Sequence, residues 1–121
     1  MRFAFYGRAA WWDGVEMLVS RQRGECEALL WSGEEITSVF FDLGTPDTQH
    51  LVTVPVDFPI HRDGGLVDLL AEATRSDRRF DGVVVSSRGR LSTRGDTLSE
   101  IWAQLAAAGL GLRVADEPGA G

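Results

Sequence analysis

The chain has 121 residues, 44% of them hydrophobic and 25% charged, which is one ordinary globular domain with a single core. One cysteine, Cys26, excludes an internal disulfide framework, and no Cys/His group has zinc-ligand spacing. The net charge of −6 argues against autonomous nucleic-acid binding, which draws on phosphate neutralisation, unless arginines gather locally. All twelve basic residues are arginine. No apolar run is long enough to cross a bilayer and no signal-peptide pattern opens the chain, so a cytoplasmic location is expected. The composition calls for no cofactor and no metal.

Strand and helix patterns alternate along the chain, which predicts a three-layer α/β fold with a mostly parallel sheet of four to five strands. Arg2 to Tyr6 reads as the first strand, continuing through Gly7 to Arg8. Val15, Leu18, Val19, Cys26, Leu29 and Leu30 recur at helical spacing, so a helix is predicted over 15–31 with Gly33 ending it. Ile36 to Phe41 is a β-branched and aromatic run, the second strand.

Residues 43–62 form a long connection with Pro46, Pro55 and Pro59, and loops of that length are often functional. Within it, Leu51 to Val54 is a candidate short edge strand. Leu66, Leu69, Leu70 and Ala73 mark a short helix. Phe80 to Val85 is continuously apolar after Gly82, as a strand buried on both faces requires. Thr97 and Glu100 have capping-box spacing ahead of the last helix, whose face carries Leu98, Ile101, Trp102 and Leu105. Gly109 stands where a left-handed cap belongs, Leu110 to Val114 is a final strand, and 118–121 is a tail. One domain over 1–117 is expected, without internal repeats.

Tyr6-Gly7-Arg8-Ala9-Ala10 resembles the (F/Y)-(G/A)-R-x-S tract of the serine recombinases, the resolvase/invertase family, with Ala10 in the place of the nucleophilic serine. Other motifs follow in the family's order. Ser20 to Leu29 is similar to its first helix S-x-x-x-Q-x-x-x-C/L. Phe41-Asp42-Leu43-Gly44 resembles the D-x-G-x-S turn, and His61 to Leu66 falls at the R-P-x-L step. Phe80 to Val85 followed by Arg88-Gly89-Arg90-Leu91-Ser92-Thr93 resembles the third strand and the L-D-R-L-S-R loop, and Leu105 to Asp116 the family's closing segment.

The resemblance implies a resolvase-like, Rossmann-like topology and an ancestral activity of site-specific DNA strand exchange. Phosphoryl transfer to a serine needs a placed hydroxyl and guanidinium groups around the phosphorus. Arg8 and Arg90 match family arginines. The R-P arginine falls on Asp63, with Arg62 one residue out of register; the last loop arginine falls on Thr93, with Arg94 adjacent; the loop aspartate is Gly89. No catalytic set is intact, and the phosphate-binding candidates are Arg8, Arg88, Arg90 and Arg94.

Ser86, Ser87 and Ser92 are the hydroxyls near that loop, and His50 and His61 are the only histidines. Trp11 and Trp12 stand where the family has polar residues. They read either as a plug in the vacated pocket or as an anchor for a partner. Trp31 and Trp102 read as core or rim. The family follows its last strand with a long dimer-forming helix and a separate DNA-binding domain; the sequence stops soon after Val114, so the usual dimer is not expected.

Two functions follow. One is a pseudoenzyme that regulates or assists a protein partner such as a full-length recombinase. The other is a residual DNA- or phosphate-binding protein of DNA recombination using the Arg88/Arg90/Arg94 loop. No membrane partner is implied.

Overall fold

The computed structural model describes residues 1–9, 14–44, 61–92 and 94–116. Four strands form one all-parallel sheet: β1 (Arg2–Ala9), β2 (Glu35–Leu43), β3 (Gly82–Val85) and β4 (Gly111–Val114), in the order β2-β1-β3-β4. Three helices connect them: α1 (Val15–Glu27), α2 (Leu66–Ala73) and α3 (Gly95–Ala107).

Period-two alternation along β1 divides the core. Phe3, Phe5 and Ala9 face α1, where they meet Val15, Val19, Cys26, Phe41 and Val84. Ala4 and Tyr6 face α2 and α3, with Phe40, Leu69, Val83, Val85, Ile101 and Leu105. Both faces are covered, hence the unbroken apolar run of β3. Cys26 is buried among the α1-side residues, and loss of water pushes its thiol up to about 12, so it serves as a small apolar residue.

Several predicted boundaries move. The first helix stops at Glu27, because Ala28, Leu29 and Leu30 turn back onto Gly24, Cys26 and Glu27 carbonyls and carry two leucines under the helix. Gly33, at φ +88°, shapes the turn into β2 and does not end the helix. Trp31, expected in the core or its rim, is 73% exposed as a result. The last helix begins at Gly95, so Thr97 is already inside it and the predicted capping box does not form. Asp96 instead accepts the Thr97 N–H at 2.9 Å. The helix over 66–73 and the left-handed Gly109 (φ +81°) are as predicted.

β1 outruns β3. It pairs with β2 over its whole length, whereas β3 reaches only Tyr6. Beyond that point Gln22 of α1 does the work of a missing strand. Its Oε1 accepts the Arg8 N–H at 3.0 Å and its Nε2 donates to the Arg8 carbonyl at 2.8 Å. A buried polar side chain on the apolar face of a helix is thereby satisfied, along with two backbone groups. Gly7 permits the approach: a Cβ there would lie 3.1 Å from Gln22 Oε1 and 2.8 Å from the Phe5 ring.

The outer edge of β2 is covered by a strap, residues 61–65. Asp63 donates its N–H to the Val39 carbonyl, Phe41 donates to the Gly64 carbonyl, and Phe40 and Gly64 form a single parallel bridge. Asp63 Oδ2 also accepts the Val39 N–H at 2.7 Å. The candidate strand over Leu51 to Val54 and most of the long connection lie outside the described residues.

Candidate functional site at the carboxyl end of the sheet

Arg8 and Asp42 are register partners on β1 and β2, near the carboxyl ends of both strands. Alternation puts Tyr6, Arg8 and Asp42 on the α2/α3 face, and the three side chains join. Arg8 Nη2 donates to Tyr6 Oη at 2.8 Å, and Tyr6 donates in turn to Asp42 Oδ2 at 2.7 Å. Arg8 Nη2 lies 3.8 Å from the same carboxylate oxygen. Arg8 and Asp42 are each only 8% exposed and Tyr6 is fully buried. Burial, reinforced by the Asp42 charge, drives the Tyr6 phenol far above its ordinary pKa, so it stays a neutral relay.

Asp42 also receives the Leu66 N–H at 2.9 Å, which ties it to the first turn of α2. Gly65 makes room: a Cβ there would fall on Asp42 Oδ1. The strap brings a second guanidinium. Arg62 Nη2 donates to Asp42 Oδ1 at 3.2 Å and its Nε to the Phe41 carbonyl at 2.8 Å. The arginine one residue out of register in the sequence is therefore the one that reaches the site. Asp63, on its other side, faces the sheet edge, where Arg79 Nη1 (2.8 Å) and His61 Nε2 (3.0 Å) meet its Oδ1.

Arg79 spans Asp63 and Glu72, with Glu72 at 2.6 Å. Burial works against the Asp63 carboxylate, but the Val39 N–H and Arg79 outweigh it and hold its pKa below the ordinary value. The Arg79 hydrogen bonds do the same for Glu72.

The Arg88–Arg90 segment is one 3-10 turn after β3. Arg90 enters the cluster through its carbonyl, which accepts Arg8 Nε at 3.1 Å, while its own Nε donates to Ser86 Oγ at 3.2 Å. Arg88 stacks 4.9 Å over the Trp102 ring, and Arg94 pairs with Asp96 at 3.3 Å. The three loop arginines thus have three different partners. Ser86 and Ser92 are buried, and Ser92 Oγ bonds the Arg94 backbone. His61 is exposed. Ala10, Trp11, Trp12, Thr93 and His50 lie outside the described residues.

Besides Asp42, which stood only within a matched motif, Tyr6 and Arg62 were the site residues missing from the sequence-based candidates. Alternation from Arg8 back to Tyr6 was a signal for the first. Nothing local marked the second, since its place depends on how the strap pairs with β2. Among the described residues no group of three or more His, Cys, Asp or Glu side chains is arranged to hold a metal ion. No helix among them is long and apolar enough to cross a membrane.

The carboxyl edge of this all-parallel α/β sheet gathers the Arg8 and Arg62 guanidinium groups around the Asp42 carboxylate. Solved structures place the fold. The C-terminal catalytic domain of ISC1926 TnpA, an IS607-like serine recombinase, matches with TM-score 0.67 and 20% identity, covering 95% of this chain and 70% of that one. A serine recombinase from Sulfolobus solfataricus matches with TM-score 0.64 and 17% identity, over 93% of this chain and 66% of that one. The N-terminal catalytic domain of TP901-1 integrase matches with TM-score 0.62 and 18% identity, over 96% and 78%. No family model and no curated protein matches the sequence. The chain has the fold of the serine recombinase catalytic domain.

Proposed function

We propose that this chain is a serine-recombinase-type domain that has lost DNA strand cleavage and acts as a regulatory or accessory module through protein contact. The supporting observation is the commitment of the site's hydroxyls. Tyr6, Ser86 and Ser92 are buried and hydrogen-bonded, and Ala10 stands at the family's nucleophile position. Arg8, which resembles an arginine that would face the phosphoryl group, spends its donors on Tyr6 and the Arg90 carbonyl. A nucleophile needs a base within reach of its proton and an open path to phosphorus, and these buried hydroxyls lack the open path. Incubation with supercoiled DNA carrying diverse sites should give no covalent protein–DNA species on a denaturing gel. A covalent species that disappears in Ser87→Ala would overturn the proposal and name the replacement nucleophile.

A second function, binding of DNA or phosphate without cleavage, is favoured by the arrival of Arg62 beside Arg8 at the carboxyl edge. A chain of net charge −6 needs such a local cluster to hold a phosphate. Retardation of DNA that weakens with salt and is lost in Arg90→Ala would support it; no binding at low salt would remove it.

A further inference from the structure

The strap that covers the β2 edge contains no apolar side chain: it reads His61-Arg62-Asp63-Gly64-Gly65. Hydrogen bonds and charges hold it, with the Arg62 guanidinium also lying 5.5 Å over the Phe41 ring. The next residue is of another kind. Leu66 opens α2 and packs against the core of the α2/α3 face. Between the two, Gly64 sits at φ +150°, and a Cβ there would lie 2.5 Å from Asp68 Cβ. Asp68 also accepts the Gly65 N–H at 2.9 Å. The closed strap therefore fits against the first turn of α2 only with glycine at position 64.

The charge that fastens the strap comes from outside it. Arg79, in the connection between α2 and β3, meets Asp63 at 2.8 Å. It is held in turn by Glu72 at 2.6 Å and by its carbonyl, which accepts the Thr37 hydroxyl at 2.9 Å. At the site end, Arg62 donates to the Phe41 carbonyl and to Asp42. Arg62 reaches Asp42 by way of the strap, whereas Arg8 is carried there by β1 itself.

We infer that residues 61–65 form a latch that opens as one unit while the sheet stays folded, withdrawing Arg62 from Asp42 and uncovering the Val39 and Phe41 backbone groups. Segments with few buried apolar contacts open at lower free energy than the core they lie on. The packed Leu66 limits the motion on one side, and Gly64 and Gly65 supply the backbone freedom for a hinge. Closed, the latch sets two guanidinium groups against Asp42; open, of these two only Arg8 remains. Cover of the β2 edge and charge at the carboxyl end of the sheet are thus two readings of one equilibrium. The latch is independent of whether the chain binds or cuts DNA.

Amide hydrogen exchange of the whole chain, resolved by nuclear magnetic resonance, is the test. Alternation divides β2: the Val39 and Phe41 N–H groups face the strap, while those of Phe40 and Asp42 face β1, as does the Gly44 N–H bonded to Ala9. After allowance for intrinsic rates, Val39 and Phe41 should exchange at least about tenfold faster than Phe40 and Asp42. Arg79→Ala should widen that ratio by a further factor of about ten. It should also speed exchange of the Arg62 Nε–H, although the bond it removes is to Asp63. Gly64→Ala, whose methyl has no room beside Asp68, should act in the same direction and serves if Arg79→Ala does not fold. Equal protection of the four amides in the wild type, a comparison that needs no variant, overturns the inference. So do folded variants that speed all four alike, or that leave the Arg62 Nε–H at its wild-type rate.

Discussion

The two ends of the strand order, β2 and β4, show two solutions to the same backbone problem. At β2 the edge is closed by a strap fastened with charges: Asp63 to Arg79, Arg79 to Glu72, and Arg62 to Asp42. At β4, which among the described residues pairs with β3 alone, the charge is a single ion pair: Arg113 turned inward onto Glu34. The strap carries Arg62 to the carboxyl end of the sheet, so covering that edge and building the cluster around Asp42 are one structural event. The larger network of charges therefore lies on the β2 side, where the site is.

The largest test of this contrast is Asp42→Ala. Asp42 is the point where β1, β2, the strap and α2 meet, through Arg8, Tyr6, Arg62 and the Leu66 N–H. Its removal takes away the carboxylate paired with the buried Arg8 guanidinium, a loss of about 3–5 kcal/mol. Urea denaturation should report that loss as a lowered midpoint. A change below about 1 kcal/mol, the size seen for exposed pairs, would mean the cluster is not the fastening it resembles.

Acid should act on the covered edge next. Asp63 and Glu72 have lowered pKa values in the folded state, so their contribution is fully present above the ordinary carboxylate range of roughly 4 and disappears as pH falls through their lower folded values. Arg79→Ala removes the shared partner and should flatten the dependence of stability on pH below about 4. Thermal unfolding of both proteins across that window measures it, and identical slopes would break the assignment.

The smallest effect is expected at Ser38 on β2. Among the described residues its Oγ is the one buried side-chain polar atom without a hydrogen-bond partner. Ser38→Ala should therefore stabilise the protein, by up to about 1 kcal/mol, visible as a small rise in Tm. Destabilisation would reveal a partner for that hydroxyl.

The sequence carried the layers and two of the site's arginines, Arg8 and Arg90. The alternation of apolar strands and helices required a parallel sheet, the continuous run at Val83 to Val85 required burial on both faces, and the motif order gave Arg8 and Arg90 as candidate residues, with Gln22 and Asp42 standing inside matched motifs. These are local signals, legible because period and order survive in one dimension. The helix end at Glu27 was not, since Leu29 and Leu30 are apolar whether they continue a helix or fold beneath it.

Only the tertiary structure decided which arginines gather. Arg62 reaches Asp42 because residues 61–65 pair with β2 in one register; a one-residue slip would have turned it outward. Arg88 and Arg94, sequence neighbours of Arg90, go instead to Trp102 and Asp96. Register and long-range pairing are set by the whole core at once, and no short stretch of sequence contains them.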